Sequence, residues 1–386
     1  MAKRKTILVL HLAGQYPLAG IAWQALHYVL GLKHMGYDVY YVEDSGAPPY
    51  NPVARINLED CSYNVAFIQR FMERFDLGDH WVYWDSLHNI SYGQPPDKLR
   101  LLYREADAII NVCGGTWLRE EHLECPIRIY LETDPARPQI ELSQSNEKTK
   151  ALLTAHTHHF TYGENLGHSD CPLPVTGFEW KATRPPVILE LWPYCFTQEA
   201  QKFTTITTLE HPEGIMFNGE KYYWSKHVNF SRFQDLPMQT SQKFEIAAQG
   251  DKSARDQLAE KRWSVIDALE ISLDLEKYQN YIARSRGEFT VAKDVVVRTR
   301  SGWFSDRSVC YLATGKPVIT QETGFSKFIP TGEGLFAFNT LEAALDAVRQ
   351  INADYAQHCR AARNLAAEHF SADRVLGKLL KDAGLE

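Results

Sequence analysis

The sequence predicts an α/β protein of two domains, and three observations lead to that prediction. The chain has 386 residues, more than one hydrophobic core of ordinary size requires. Its hydrophobic content of 44% and charged content of 23% are typical of globular proteins. Short apolar runs alternate with segments of helical periodicity, which is the pattern of parallel sheets covered by helices.

The first elements are a strand, a loop and a helix. Residues 6–12 (TILVLHL) form an apolar run typical of a buried strand, and a loop at 14–20 follows it. Apolar residues recur at helical spacing over 21–34, and Gly36 supplies a stop signal before the next strand at 37–43. This order predicts a βαβ unit with parallel strands and a right-handed crossover.

The same alternation continues along both halves of the chain. Residues 179–193 are rich in proline and break regular structure, so we place the domain junction there. We predict a first domain over 1–190 and a second over 191–365. The other expected elements are a helix at 58–75, strands at 108–112, 127–131, 159–162, 204–209, 243–248, 288–293 and 316–320, helices at 273–285 and 305–313, an α/β pair at 335–351 and a helical end at 355–380.

Charge and cysteine content argue against several classes of protein. The net charge is −7 and no long basic run is present, so we expect no nucleic-acid partner. The first apolar run is too short for a signal peptide or a membrane span, so we expect no stable membrane insertion. Seven scattered cysteines without a C-x-x-C pair indicate free thiols in a reducing cytoplasm.

Two glycine-containing turns differ from the common nucleotide motifs. The loop GQYPLAG at 14–20 lacks the G-x-G-x-x-G spacing, and the tripeptide GKP at 315–317 lacks the first glycine and the Ser/Thr of a P-loop. A turn between a strand and a helix still presents amide groups to an anion or an acceptor, which makes Gly14, Gln15 and Gly20 candidate cleft residues. The alternative is a tight turn without a ligand.

The strongest local signal is the segment RTRSGWFSDRS at 298–308. It places three arginines and several hydroxyl groups ahead of a helix that Ser305 or Asp306 would cap, which suits a pyrophosphate. The alternative is a capped helix whose arginines form surface ion pairs. A second loop at 321–325 follows the next strand at the same sheet edge, where such sheets bind ligands. The candidate binding residues of the two loops are Arg300, Ser301, Gly302, Trp303, Ser305, Asp306, Arg307, Ser308, Thr323, Gly324 and Phe325.

The second half resembles the donor half of the GT-B glycosyltransferases. In that superfamily a loop and a helix lead into an A-x-G-x-P-V strand, a T-G or G-G turn and a G-x-G segment. The corresponding stretches here are 313–318 (ATGKPV), 323–324 and 332–334. The first half, with its loop at 14–20 and the stretch GYDVYYVED at 36–44, resembles the acceptor half by pattern.

The resemblance, which is to the glycosyltransferase family 4 and family 1 group, implies a fold and a function. It implies two facing Rossmann-like domains, with a C-terminal helix (about 366–386) that crosses back to the first. It also implies transfer of a sugar from a nucleotide-diphosphate sugar, such as a UDP-sugar, to a small-molecule or glycan acceptor. No metal and no further cofactor are expected. A cation early in the second domain usually meets the diphosphate, and the candidate is Lys221 or Lys226.

One departure from the family pattern affects the mechanism. Many retaining members carry two glutamates eight positions apart near this helix, and this chain has Gly302 and Cys310 at those places. The resemblance therefore does not imply a retaining mechanism. Asp306 becomes the candidate to hold the donor ribose instead.

Three residues of the first half are candidates for catalysis. Glu132 and Asp134 form an acidic pair at the end of a strand. Such a pair holds a divalent metal in GT-A transferases, acts as general base on an acceptor hydroxyl, or caps the helix after Pro135. The second complete α/β domain argues against the metal interpretation. His11, at the end of the first strand, is either a base facing the cleft or a packed core residue.

Two other functions are compatible with the same pattern. A nucleotide-sugar epimerase would change the donor sugar without an acceptor. A non-catalytic nucleotide-sugar binding protein would release no nucleoside diphosphate when acceptors are present. The two are separated from a transferase by the products that form.

Overall fold

A computed structural model describes residues 4–249 and 252–385. The ends of the predicted domain ranges, at 1–3 and 386, lie outside the described residues. The strands of the N-terminal half are β1 (Thr6–Leu10), β2 (Asp38–Glu43), β3 (Tyr50–Asn51), β4 (Ile56–Asn57), β5 (Trp81–Asp85), β6 (Ile90–Tyr92), β7 (Ala108–Val112), β8 (Ile127–Glu132), β9 (His158–Thr161) and β10 (Trp180–Ala182). The helices are α1 (Ala19–His34), α2 (Ser62–Arg74), α3 (Pro96–Glu105), α4 (Glu120–Leu123), α5 (Arg137–Ser143) and α6 (Glu147–Thr154).

Eight of these strands form one sheet in the order β10-β9-β8-β7-β1-β2-β5-β6. Neighbouring strands are parallel, except that β6 pairs antiparallel with β5. All five residues of β1 are buried, because β1 lies at the centre of the sheet and helices cover both faces. The small hairpin of β3 and β4 stands apart.

The C-terminal half contains a second sheet. Its elements are β11 (Lys202–Thr208), β12 (Gly214–Phe217), β13 (Glu220–Tyr223), α7 (His227–Phe230), β14 (Lys243–Gln249), α8 (Lys252–Glu260), β15 (Trp263–Asp267), α9 (Ala268–Ser272), α10 (Leu275–Arg284), β16 (Gly287–Thr290), α11 (Asp294–Arg298), α12 (Asp306–Ala313), β17 (Val318–Gln321), β18 (Leu335–Phe338), α13 (Leu341–Ala353), α14 (Tyr355–His369) and α15 (Ala372–Asp382). Six parallel strands follow the order β15-β14-β11-β16-β17-β18. Single 3₁₀ turns occur at Leu189–Leu191, Leu236–Gln239 and Phe325–Lys327.

Aromatic residues fill the core beneath the second sheet. Phe203 stacks on Phe244 with ring centroids 5.9 Å apart, and Phe289 stacks on Phe338 at 5.2 Å. Rings in offset contact of this kind add stability beyond the area they bury. The core anchors the strands whose carboxyl ends carry the polar residues described below.

The last helix returns to the N-terminal half. Helix α15 lies against α1, and a Cβ atom at Gly31 would come within 2.6 Å of Leu376 Cδ1. Glycine at this position therefore permits the close approach of the two helices. The helical end predicted at 355–380 is divided at Ser371, which bridges to Val187.

The predicted α/β class with two parallel sheets is confirmed. The strand expected at 288–293 is shorter and ends at Thr290, because Asp294 begins α11. The hairpin of β12 and β13 was not expected. Its strands are only four residues long, too short for their alternation to stand out. Among the described residues, none of the helices is both long and apolar enough to span a membrane.

Candidate functional site

The candidate site is the cleft where the carboxyl edges of the two sheets face each other. Gly20, at the start of α1, and Arg307, in the first turn of α12, line one cavity of about 230 Å³ together with Thr207 and Thr208 at the end of β11. Ligands of open parallel sheets bind beyond the carboxyl ends of the strands. The fold therefore places these residues where a shared ligand would lie.

Arg307 is held in place by the ends of two strands. Its Nε donates to Glu288 Oε1 at 2.6 Å, Nη1 donates to the Ile206 carbonyl at 2.8 Å and Nη2 donates to Thr290 Oγ1 at 2.9 Å. Burial alone would lower the pKa of Arg307, but the Glu288 carboxylate outweighs burial and raises it. The guanidinium is therefore a fixed positive charge at the start of α12, where the helix dipole is also positive.

Lys226 is a buried cation beside Arg307. Burial and, next, the Arg307 guanidinium lower the pKa of Lys226 well below its usual value, and Glu288 and Lys293 are close enough to shift it too. Within residues 4–249 and 252–385, no hydrogen bond or ion pair holds its Nζ atom. Glu288 and Asp134 act in the opposite direction and raise the pKa, but burial prevails, so Nζ is a buried amine whose charged form is disfavoured. It marks a place that an anion would stabilise.

Lys293 and Asp134 join the two halves across the cleft. Lys293 follows β16, Asp134 follows β8, and their charged atoms are 2.8 Å apart. The Asp134 side chain is 46% exposed. Lys293 therefore adds a third positive charge to the edge of the second sheet, and Asp134 is the acidic side chain that approaches it from the first.

Asp306 lies in the first turn of α12 and lines the cleft with Gly20. Burial raises its pKa. Ser305 is the N-cap residue, as expected, although its hydroxyl makes no capping hydrogen bond. Ser308 is buried inside the helix and its Oγ atom has no partner among the described residues, so it does not line the cleft surface.

The first part of the 298–308 segment contacts the N-terminal half instead of an open cavity. The Asn165 amide donates to the Ser301 carbonyl at 3.0 Å, Trp303 Nε1 donates to the Thr133 carbonyl at 2.9 Å, and Arg300 Nε donates to Asp170 Oδ2 at 3.0 Å. The Arg300 guanidinium and the Trp303 ring nitrogen are thus engaged by the protein, whereas the Ser301 hydroxyl is buried and has no partner among the described residues.

The second predicted loop supports the same contact region. The Gly302 amide donates to the Thr323 carbonyl at 2.7 Å, and the Gly324 amide donates to the Glu322 carboxylate. Phe325 is buried against Phe304, with ring centroids 5.2 Å apart. We therefore assign Gly302 and the 323–325 turn to packing of the two halves and leave them out of the ligand site.

The loop at 14–20 is closed by a buried carboxylate. Glu43 accepts hydrogen bonds from the Gly14 amide, from the Gln15 amide at 2.8 Å and from the Tyr41 hydroxyl. Burial raises the pKa of Glu43 to about 7. The Gly14 and Gln15 amides expected to contact an anion or an acceptor are thus satisfied within the protein, and Gly20 is the loop residue that lines the cleft.

Two of the three predicted catalytic residues are enclosed by protein. His11 accepts from the Leu12 amide at Nδ1, so its Nε2 proton is directed at Gln24 Oε1, 3.1 Å away. Burial lowers the pKa of His11 to about 4, so the ring is neutral. Glu132 accepts from Gln139 and Thr161, and burial raises its pKa to about 8. Asp134 alone reaches the open cleft.

The metal interpretation of the acidic pair finds no donor set. Glu132 turns towards Gln139 and Thr161, whereas Asp134 turns towards Lys293. In the part of the chain that the structure describes, no group of three or more His, Cys, Asp or Glu side chains is arranged to hold a metal ion.

Sequence reasoning missed Lys293 and Glu288. Both lay inside a segment interpreted as one strand, and nothing local marks a charged residue at a strand end as a ligand contact. The available signal was the charged Glu288 within an otherwise apolar strand, since a buried carboxylate implies a buried cation. Lys221, the other candidate cation, is exposed and lies over the ring of Tyr223.

Comparison with known proteins identifies the architecture. No protein-family model matches the chain, and no curated protein matches its sequence. Sucrose-phosphate synthase from Thermosynechococcus elongatus superimposes with a TM-score of 0.59 at 10% identity, covering 98% of this chain and 99% of that one. Anabaena HepE, in complex with UDP and glucose, superimposes with a TM-score of 0.58 at 12% identity, covering 99% and 100%. The chain has the GT-B fold.

An alpha-glucosyltransferase in complex with UDP and DNA has the same fold, with a TM-score of 0.57, 9% identity and coverage of 99% and 100%. The match extends over both sheets of all three proteins. The GT-B fold places two Rossmann-like domains face to face, and the cavity that Gly20 and Arg307 line lies between them in this chain.

Proposed function

We propose that the chain is a glycosyltransferase that transfers a sugar from a nucleotide-diphosphate sugar to an acceptor. The donor binds at the edge of the second sheet and the acceptor at the edge of the first. The observation that carries the proposal is Lys226, a buried side chain beside Arg307 whose Nζ atom makes no hydrogen bond or ion pair among the described residues. A diphosphate supplies the charge that this pair of cations lacks.

The site is preorganised for a leaving diphosphate. Glu288 and the strand ends fix Arg307, so its charge does not reorient during the reaction. Fixed charges aimed at the point where negative charge develops are an efficient source of catalysis. As the bond between the anomeric carbon and the phosphate oxygen breaks, Arg307, Lys226 and the amino end of α12 stabilise the departing nucleoside diphosphate.

Asp134 is our candidate for the general base. It is the acidic side chain of the first half that reaches the open cleft. A donor phosphate would compete for Lys293 and release the Asp134 carboxylate from its ion pair. Asp134 then accepts the proton of the acceptor hydroxyl as the oxygen bonds to the anomeric carbon.

The structural neighbours support a uridine nucleotide. HepE binds UDP and glucose and the alpha-glucosyltransferase binds UDP, so UDP is the first nucleotide to test. One neighbour also binds DNA, but the net charge of −7 favours a small-molecule or glycan acceptor here. We propose that the three cations replace a metal ion, so that transfer needs neither a metal nor another cofactor.

We also propose that the reaction takes place in the cytoplasm. All seven cysteines are free thiols, and five of them are buried. Unpaired thiols persist in reducing compartments. Alkylation of the protein in freshly lysed cells, after expression in the cytoplasm, checks this assignment. We expect all seven thiols to be retained.

Titration calorimetry with UDP tests the donor site. The variant is Lys226→Met, and the matched control is Lys221→Ala on the preceding hairpin, where the side chain is exposed. We expect Lys226→Met to weaken UDP binding by about 1.5–3 kcal/mol, the contribution of a charge-assisted hydrogen bond, which is roughly 10- to 150-fold in Kd. Lys221→Ala should bind UDP like the unchanged protein.

Equal UDP affinities in folded Lys226→Met and in the unchanged protein would overturn the proposed donor site. Activity is tested separately by incubating UDP-sugars with and without a panel of acceptors. Transfer is expected to release UDP and to extend the acceptor. Conversion of the donor sugar without an acceptor would identify an epimerase instead, and UDP binding without either product would identify a binding protein.

A further inference from the structure

A second cavity, of about 650 Å³, lies at the carboxyl edge of the N-terminal sheet. It opens where β2 and β5 end, between α3 and the loop before α4. Its volume falls within the range of small-ligand sites. The lining residues that the argument uses are Asp44, Trp84, Asn89, Arg100, Tyr103 and Arg119.

Asp44 is a buried carboxylate that fixes the side chains at the wall of this cavity. Its side chain is 1% exposed, and its Oδ2 atom accepts from Arg119 and, at 2.6 Å, from the Tyr103 hydroxyl. In the described part of the chain nothing donates to the other oxygen, Oδ1. Burial would raise the pKa of Asp44, but His122 and Arg119 outweigh it and lower the pKa. Oδ1 is itself buried, so the group that this carboxylate presents to a ligand is the Arg119 guanidinium, whose side chain is 43% exposed.

The positive charges of the cavity are already balanced. Arg119 Nε lies 2.7 Å from Glu121 Oε1 in addition to its contact with Asp44, and Arg100 lies 3.4 Å from Asp97. The cavity therefore carries no surplus positive charge for an anionic ligand. This distinguishes it from the edge of the second sheet, where Lys226 Nζ makes no ion pair among the described residues.

Aromatic and amide groups complete the surface. The Trp84 ring is half-buried at the cavity wall, and Asn89 lies on the exposed turn beyond β5. A ring face packs against apolar C–H groups, while a carboxylate, a guanidinium and an amide bond to hydroxyls. A sugar ring presents both kinds of surface, apolar on its faces and hydroxylated around its rim.

One loop connects this cavity to the cleft. Cys113, at the cleft end, has its Sγ atom 3.0 Å from Thr133 Oγ1, and Arg119 lies at the cavity end. Asn111 fixes the loop between them, with hydrogen bonds of 2.7 Å to the Thr116 carbonyl and 3.2 Å from its amide. Six extended residues span at most about 21 Å. A ligand that contacts both places therefore needs to span no more than about this distance.

We propose that this cavity binds a sugar unit of an oligosaccharide or glycoside acceptor, at a distance from the hydroxyl that reacts in the cleft. The proposal rests on the proposed transferase function, because it assigns the acceptor class of that reaction. Arg119 and Trp84 then select acceptors by a unit that is not itself modified.

Saturation-transfer NMR tests the proposal with a defined panel. The probes are tetrasaccharides and the matching free sugars of the hexose, N-acetylhexosamine, uronic acid and deoxyhexose classes. We expect one tetrasaccharide class to bind the full chain more tightly than its free sugar. Trp84→Ala should weaken that binding at least tenfold, and Phe196→Ala, which removes an exposed aromatic ring outside both the cavity lining and the connecting loop, should not.

Asn89→Ala provides a second variant on an exposed turn, so the test survives if Trp84→Ala does not fold. Binding of no tetrasaccharide in the panel, or equal binding by the unchanged protein and both cavity variants, would overturn the proposal. UDP binding is measured on the same samples. UDP binding without glycan binding refutes the cavity assignment alone, whereas cavity-dependent glycan binding without UDP binding refutes the transferase function and this acceptor assignment with it.

Discussion

The loop at 14–20 with Glu43, here called the N-terminal junction, faces the start of α12 with Glu288 and Lys226, here called the C-terminal junction. The two junctions differ in how their charged groups are paired. At the N-terminal junction, the Gly14 and Gln15 amides donate to the buried Glu43, so the loop has little capacity left for an anion. At the C-terminal junction, Glu288 holds Arg307, whereas the Lys226 Nζ atom makes no hydrogen bond or ion pair among the described residues. The difference supports our proposal that the anionic donor binds at the second sheet and an uncharged acceptor at the first.

The comparison also shows that a loop's sequence does not decide whether it binds a ligand. Both junctions offer backbone donors at the start of a helix. What separates them is the acidic side chain that the neighbouring strand supplies and the number of cations that it must balance. Changes to these carboxylates and cations therefore test the comparison directly.

The largest effect is expected from Arg307→Met. The change leaves Glu288 fully buried without its counter-charge, and removal of one partner from a buried pair costs about 3–5 kcal/mol. We expect urea unfolding to show a loss of that size. The double variant Arg307→Met with Glu288→Gln is the control, and it should recover most of the stability but not UDP binding. Unfolding of Arg307→Met at the urea concentration of the unchanged protein would contradict this account.

Glu43 gives a pH-dependent effect at the opposite junction. Its folded pKa of about 7 is above the unfolded value, so the folded state holds the extra proton between pH of about 4.5 and about 7. The free energy of unfolding should therefore fall as the pH rises through that window, by up to about 3 kcal/mol from this group. Glu43→Gln should remove this component in urea unfolding at pH 5 and pH 7.5.

Glu59→Gln, at an exposed position, is the matched control for the charge change at Glu43. Glu132, whose pKa is about 8, contributes a similar slope to both proteins, so the informative quantity is the difference between them. An unchanged pH dependence in Glu43→Gln would mean that Glu43 is ionised in the folded protein and that the N-terminal loop is not closed in the way described here.

Local patterns predicted the fold because each strand and helix carries its own periodicity. The βαβ unit at the start of the chain and the helix at 305–313 needed only neighbouring residues to be recognised. The roles of the two parts of the 298–308 segment could not be predicted from neighbouring residues alone. The Asn165 side-chain amide donates to the Arg300 carbonyl, and the two residues are 135 positions apart in the sequence. No spacing within the segment shows that its first part contacts the N-terminal half of the chain.

The candidate site was predicted in part for the same reason. Asp306, Arg307 and Gly20 line the cleft, and the sequence located them because helix starts attract polar residues. Lys293 was missed because its partner Asp134 is 159 positions away. A sequence shows which groups can donate or accept, but the fold decides whether the protein or a ligand satisfies them.

A smaller effect on stability is expected at the ion pair that joins the two halves of the chain across the cleft. Lys293 and Asp134 are 25% and 46% exposed, and ion pairs with this much solvent access contribute about 0–1 kcal/mol. Asp134→Asn should therefore leave the unfolding free energy within about 1 kcal/mol of the unchanged protein, preserve UDP binding and reduce turnover. Lys293→Met, in contrast to Asp134→Asn, should weaken UDP binding. Full turnover in Asp134→Asn would remove it as the base.

The smallest effect is expected from metal removal. A change near zero in UDP affinity is the informative result. If Arg307, Lys226 and Lys293 neutralise the diphosphate, EDTA should leave the calorimetric Kd for UDP unchanged, since these cations remain fixed to the protein. The same titration in Lys226→Met is a more sensitive test. A site with one cation fewer should gain more UDP affinity from added Mg²⁺ or Mn²⁺. Loss of UDP binding in EDTA, restored by either ion in the unchanged protein, would mean that the second sheet lacks sufficient charge of its own.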